Sequence, residues 1–279
     1  MGIYWKLIKT TNTTVKTQFR AATFIGNSPF TKEMKTKMQP IVLIKYGKKK
    51  HLKQLVRGLI RFAPTEDYIK LQGITGEKGQ GDSDEGKLHI SSTRAIMQPH
   101  DNPNTATYVQ NANFKISFEE LNRKPVFCLS QYADEDTISG TMLSIAKNKV
   151  AAIEHDFPDA THALIIKEPE KFIADLLMIS ESMHSHEIQY YDYKQNWINM
   201  YLFVAGDDQS KNERGTLYTI TMDNIYRQLY CKSNELKKQQ EYRFILTDWL
   251  ISKPIFLPFR FTSKYKIVPI KKLYKKIKL

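Results

Sequence analysis

The chain alternates between short β-like runs and a few stretches of helical spacing. PIVLIKYG is rich in β-branched residues and closes on Gly47, which predicts a strand. KKKHLKQLVRGL then spaces Leu52, Leu55, Val56 and Leu59 along one helical face, with Gly58 as the stop. IRFA follows as a second short strand. From Gly73 to Gly86, glycines recur among acidic and polar residues, so an exposed loop is expected. Beyond it, KLHISSTRAIM, TYVQNANFKISF and KPVFCLS read as strands, and MLSIAKNKVAAIEHDF reads as a helix. HALIIK is another strand, and EPEKFIADLLMI is a helix whose first turn suits Pro169 and Glu170. HEIQYYDY alternates like a half-buried strand, MDNIYRQLYCKS has helical spacing, and EYRFIL follows the polar run NELKKQQ as a strand.

Strands predominate, and helices are interspersed without the regular alternation of a doubly wound sheet. The class this predicts is α+β, with strand-rich mixed core sheets. The expected organisation is a basic N-terminal segment over 1–39, an α+β body over 40–263 and a basic C-terminal strand and tail over 264–279. No internal repeat at a fixed period is visible. The longest apolar stretches, PIVLI and LLMI, are far short of the roughly 18 to 20 residues that cross a bilayer, so no membrane span is expected.

Charge sharpens this picture. Lys and Arg number 42 against 29 Asp and Glu, a formal net charge of +13 that favours a polyanionic partner at encounter. The excess sits at the ends. Residues 1–57 hold 13 basic side chains against Glu33 alone, residues 264–279 hold seven lysines and no acid, and the body between is mildly acidic. The run KYKIVPIKKLYKKIKL interleaves Ile, Tyr and Leu with lysine. It suits a phosphate backbone, an acidic protein partner, or simply an edge strand followed by a solvated tail. Cys128 and Cys231 are too few for a disulfide framework, and MGIYWKLIKTTNTTVK lacks the apolar core of a secretory signal. A reducing, cytoplasmic setting is the expectation.

Several motifs fail on inspection. GDSDEGKL approaches a phosphate-cradling loop, but Leu88 stands where a hydroxyl is needed, and Asp82, Asp84 and Glu85 would repel phosphate. The same segment imitates the opening of a calcium loop, yet Thr93 replaces the closing glutamate. His184 and His186 would supply two metal ligands from a strand, without the CxxC or HExxH that would complete a site, so no metal is expected. Ile165 stands where a metal-dependent nuclease needs an acid, and no Gly-x-Ser-x-Gly elbow exists. Cys128, in the apolar run PVFCL, reads as core.

Three features remain. In GLIRF, Arg61 sits in a short apolar strand and must be paired, exposed at a cleft, or costly to bury. PVFCLSQY ends a strand at Ser130, with Gln131 and Tyr132 beyond. KKQQEYRF sets Gln239, Gln240 and Glu241 at the opening of a strand.

In this order the three resemble the ADP-ribosyltransferase superfamily of the arginine–serine–glutamate type. GLIRFAPTEDY, GDSDEG and QQEYRF also resemble landmarks of uncharacterised bacterial mobile-element and phage-defence proteins. The resemblance implies an ADP-ribosyltransferase-like fold and NAD as substrate. By that resemblance, Arg61 contacts NAD, Ser130 positions the nicotinamide ribose, Glu241 is catalytic and Gln239 orients the nucleophile. Ser91, Ser92 and Thr93 are the alternative serine element. Tyr68 or Tyr132 is a candidate to stack on a ring of the cofactor. The resemblance also implies a toxin or defence effector, in its most concrete form an mRNA-modifying toxin of a toxin–antitoxin–chaperone system. The basic termini favour nucleic acid as acceptor, and the resemblance favours RNA over DNA.

Two readings without catalysis stand beside it. In one, Arg61 and Glu241 are an ion pair joining two strands with Arg243 toward solvent, or Glu241 and Arg243, on one face of a strand, neutralise each other. In the other, the chain is a non-enzymatic binder whose lysine-rich ends hold nucleic acid or a partner. The enzymatic expectation depends on Arg61 and Glu241 converging on one crevice.

Overall fold

The computed structural model describes residues 42–75, 84–97, 107–132, 138–139, 141–191, 204–205, 218–219 and 222–279. Residues 1–39 and most of the glycine-rich acidic segment lie outside these. The chain forms two compact units. The larger takes in Lys37–Glu85, Asn122–Gln189 and Glu235–Leu279, and the smaller includes Gly86–Leu121 and Tyr190–Asn234.

The larger unit opens with β1 (Val42–Gly47), α1 (Lys49–Val56), β2 (Leu59–Pro64) and α2 (Thr65–Thr75). In the smaller unit β3 (Lys87–Met97) and β4 (Thr107–Ser117) pair as a long antiparallel ladder, followed by the short α3 (Glu119–Asn122). The larger unit resumes with β5 (Pro125–Tyr132), β6 (Ile138–Ser139), β7 (Met142–Leu143), α4 (Lys147–Asp156), β8 (His162–Ile166), α5 (Pro169–Leu177) and β9 (Met183–Glu187). Short strands β10 (Gln189–Tyr191), β11 (Val204–Ala205), β12 (Tyr218–Thr219) and β13 (Cys231–Ser233) come next. The chain finishes in the larger unit with β14 (Glu241–Leu246), β15 (Ile255–Pro258), β16 (Tyr265–Pro269) and β17 (Ile277–Lys278).

The main sheet has eight strands, ordered β15-β2-β5-β1-β8-β16, with β14 branching from β5 and β9 pairing on the far side of β14. Every ladder in it is antiparallel. The α+β class holds, and the expectation of mixed sheets is corrected for this one. Its central strand β1 is buried on both faces, hence the near-continuous apolar run VLI. One face packs Val42, Ile44, Tyr46, Tyr132 and Ile165 against Val150 of α4. The other packs Leu43, Phe62, Phe127, Leu129 and Phe244 against Leu52 and Leu55 of α1 and Phe172 and Leu176 of α5.

Gly58 ends α1 with φ +85°, and a Cβ there would lie 2.3 Å from the carbonyl oxygen of Phe259, so both conformation and space demand glycine. Other boundaries shift from expectation. Residues up to Thr75 extend α2 into the expected loop, and MLSIAKNKVAAIEHDF divides into β7 and a helix that begins only at Lys147. HEIQYYDY breaks at Ile188 into strands serving different sheets, and MDNIYRQLY winds as a 3₁₀ helix over Met222–Tyr230.

The C-terminal segment needs the largest correction. β16 is an edge strand, as one reading expected, but the segment after it is not a solvated tail. Ile270, Leu273 and Ile277 are buried in the core beneath β1, while Lys271, Lys272, Lys275 and Lys276 point outward. Alternation of apolar anchor and exposed lysine, rather than charge alone, explains the composition of this run. Leu273→Ala is therefore expected to cost about 2 to 5 kcal/mol, measured by urea unfolding, whereas Lys275→Gln changes stability by less than about 0.5 kcal/mol.

Candidate functional site

The site is built on β5, where the sheet forks. Along one edge, β1 pairs with the C-terminal half, setting Val42 opposite Tyr132 and Ile44 opposite Ser130. β2 pairs with the N-terminal end of the same edge, setting Ala63 opposite Val126. Between the two contacts Lys45 of β1 donates from Nζ to the Cys128 carbonyl at 2.6 Å, and its ammonium lies 4.8 Å from the centre of the Phe127 ring. The other edge of β5 is covered by β14, with Glu241 opposite Ser130 and Arg243 opposite Cys128.

A strained turn delivers Glu241 to that position. The 3₁₀ helix Asn234–Gln239 ends at Gln240, whose φ of +46° makes it the one non-glycine residue at positive φ among those described. Its N–H donates to the Lys237 carbonyl, and its own carbonyl accepts from the Gln131 N–H at 2.6 Å. These bonds lock the turn to β5, and the chain enters β14 with Glu241 as the first residue.

The side chains of Glu241 and Arg243 share one face, as alternation requires. Arg243 is fully buried. It donates from Nε (3.0 Å) and Nη2 (2.8 Å) to Oε1 of Glu241, and from Nη1 (2.6 Å) and Nη2 (3.2 Å) to the two oxygens of buried Glu85. Burial works against the charge of the guanidinium, but Glu241 and then Glu85 outweigh it and raise the Arg243 pKa well above its ordinary value. The reading in which Glu241 and Arg243 neutralise each other therefore describes a real contact, to which the structure adds Glu85; the reading that pairs Arg61 with Glu241 and turns Arg243 toward solvent is corrected.

Other groups gather around this ion cluster. Tyr68 of α2 brings its hydroxyl within 3.9 Å of the Cys128 sulfur. Burial, followed by electrostatic interaction with Cys128 and Glu241, pushes its phenol pKa well up, with Arg243 opposing. Lys45 has a lowered pKa because burial outweighs the pull of Cys128 and Glu241, and Arg61 pushes in the same direction as burial. Cys128 is half-buried beside these groups, so the core assignment drawn from PVFCL is corrected.

The structure thus brings Glu241, Ser130 and Tyr68 into one neighbourhood. Ser130 is buried, and Gln239 is half-buried at the end of its 3₁₀ helix. Arg61 is exposed on β2 opposite Phe256, and does not pair with Glu241, whose guanidinium partner is Arg243. It does act electrostatically on Lys45, as Glu241 does. Tyr132 lies within the core beneath β1, its hydroxyl 2.8 Å from that of Tyr46, which makes it a packing residue. Ser91, Ser92 and Thr93 lie in β3 of the smaller unit. His184 and His186 do lie on a strand, β9, and His186 Nδ1 sits 2.7 Å from the Glu187 carbonyl oxygen. Among the described residues no group of three or more His, Cys, Asp or Glu is arranged to hold a metal ion.

Sequence reasoning missed Lys45 and the part played by Glu85, and it named Arg243 only as a residue that neutralises Glu241 or faces solvent. A lysine inside VLIKYG was a visible signal, since a charge in an otherwise buried strand needs a partner. Comparison with family models, with curated proteins and with solved structures found no match to this chain.

The turn at Gln240 is directly testable. Gln240→Val, which places a β-branched residue at positive φ, is expected to lower stability by about 1 to 2 kcal/mol, and Gln240→Gly to leave it level or higher. Chemical denaturation of both variants checks the pair.

Proposed function

We propose that the protein cleaves the nicotinamide–ribose bond of NAD and transfers the ADP-ribosyl group to a nucleophile, with RNA as the favoured acceptor. The observation that carries this reading is the register: Glu241, first residue of β14, stands directly opposite Ser130 of β5. The arginine–serine–glutamate resemblance asks for a serine and a glutamate working together, and these come from strands far apart in sequence.

The chemistry follows from charge. Heterolysis of the C–N bond lets neutral nicotinamide leave with the electron pair, and positive charge develops at the ribose carbon. The Glu241 carboxylate, aimed by Arg243, stabilises that cation and accepts a hydrogen bond from a ribose hydroxyl. Ser130 orients the ribose, and Gln239, beside the strand opening, orients the incoming nucleophile, which adds to the ribose carbon and gives up its proton. Arg61, exposed and free of Glu241, suits the diphosphate as a bidentate partner. Tyr68 closes the side of the site beside Cys128. Tyr132, packed in the core, takes no part.

The acceptor is inferred from the surface. Lys271, Lys272, Lys275 and Lys276 are exposed on a well-anchored turn, and the Lys147 ammonium lies 5.4 Å from the centre of the exposed Tyr274 ring. A defence or toxin setting with an antitoxin partner follows from the resemblance. Among the described residues no helix is long and apolar enough to cross a membrane.

Glu241→Gln tests the reaction, because it keeps the shape that packs against Arg243. Truncation to alanine would leave a buried guanidinium short of a partner, at a cost of about 3 to 5 kcal/mol. With labelled NAD and RNA, the wild-type protein is expected to release nicotinamide and label the RNA, and the variant to do so at least about 100-fold more slowly. No release by wild-type protein with RNA, DNA or protein acceptors would sink the reading and leave a basic binding protein.

The acceptor surface has its own test. Replacing Lys271, Lys272, Lys275 and Lys276 together by Gln should weaken single-stranded RNA binding and reduce the slope of log affinity against log salt by about 3. An unchanged slope would assign these lysines to solubility.

A further inference from the structure

Two sequence landmarks, GDSDEG and QQEYRF, meet through one guanidinium. Glu85 and Arg243 are 158 residues apart, yet their side chains are each only 1% exposed. Glu85 takes Nη1 and Nη2 with its two oxygens, a fork that fixes the guanidinium plane. That plane then presents Nε and Nη2 to a single oxygen of Glu241. Within the triad one positive charge meets two negative ones. Glu85, engaged through both oxygens, shares the guanidinium with Glu241, so Arg243 steers Glu241 without being its exclusive partner. A carboxylate cancelled by its own arginine would do little for a developing cation, whereas one aimed by a shared guanidinium keeps both direction and charge.

We propose that Arg243 and Glu85 are positioning residues for Glu241, with Glu85, at the end of the acidic glycine-rich segment, holding the guanidinium that aims the Glu241 carboxylate beside Ser130. This rests on the reading of Glu241 as the carboxylate facing the ribose cation. Glu85 is thereby part of the site although it approaches no substrate. Lys45, Tyr68 and Cys128 face the same charges from β1, α2 and β5.

Glu85→Gln and Arg243→Lys test the proposal in two independent ways. The first readout needs no catalysis: carbon-13 NMR of the Glu241 carboxyl group during a pH titration. With Glu85 neutral, Arg243 leans wholly on Glu241, and the Glu241 midpoint falls. With lysine at 243 the fork is lost and the midpoint rises. The second readout is nicotinamide release from NAD, where both variants are expected to lose about 10- to 100-fold in kcat with KM for NAD within about twofold. The double variant should be no slower than the slower single, because both act through one guanidinium, and Glu85→Asp should recover part of the rate. Unmoved Glu241 midpoints in both variants would overturn the proposal, and so would losses that multiply or a failure of both variants to fold. A shifted midpoint in a protein that releases no nicotinamide upholds the positioning and removes only the reaction.

Discussion

A guanidinium buried to 1% exposure imposes a condition that the surrounding structure has to meet. Arg243 carries a permanent charge and five N–H donors into the interior, and an unpaired charge there would cost several kcal/mol. Glu241, two residues earlier on the same strand face, supplies one carboxylate, and Glu85 supplies the other. Satisfying Arg243 therefore ties the end of the acidic segment to the main sheet and fixes how β14 begins. The left-handed turn at Gln240 belongs to the same solution, because its bond to Gln131 holds Glu241 level with Ser130.

Much of the fold was legible in the chain because it is local. PIVLIKYG, IRFA, KPVFCLS, HALIIK and EYRFIL are β-branched or alternating runs, and each is a strand. Gly58 was readable as a helix stop because glycine takes the positive φ of a helix end without penalty, whereas its closeness to Phe259 was not. What escaped was non-local. Nothing in GDSDEG says that its last acid is buried against an arginine 158 residues away, and amid glycines and aspartates it reads as solvated loop. The fork at β5 escaped for the same reason, since register between distant strands leaves no mark on either strand alone. Ser130 and Glu241 stand opposite each other, but no physical signal in either segment links the two. Of the two ion-pair readings, Glu241 with Arg243 is the one the structure forms, while Glu241 with Arg61 is not.

The C-terminal run illustrates how charge can obscure packing. Seven lysines in residues 264–279 drew attention to polyanions, while Ile267, Val268, Ile270, Leu273 and Ile277 packed into the cores on both faces of the sheet. The two properties coexist because the apolar anchors and the ammonium groups project in different directions from the same backbone. A segment built this way anchors its backbone through the apolar side chains while its lysines stay in water.

The fork at β5 also bears on how the molecule comes into being. A ribosome completes β5 long before it makes β14, so one edge of β5 waits for more than a hundred residues of further synthesis. Throughout that interval the acid at position 85 has no guanidinium, and the serine at 130 has no carboxylate across from it. Closing such distant pairings is slow compared with forming local helices. The ion cluster of Glu85, Arg243 and Glu241 is therefore assembled among the last parts of the molecule, and a chain interrupted before residue 241 never brings a carboxylate level with Ser130.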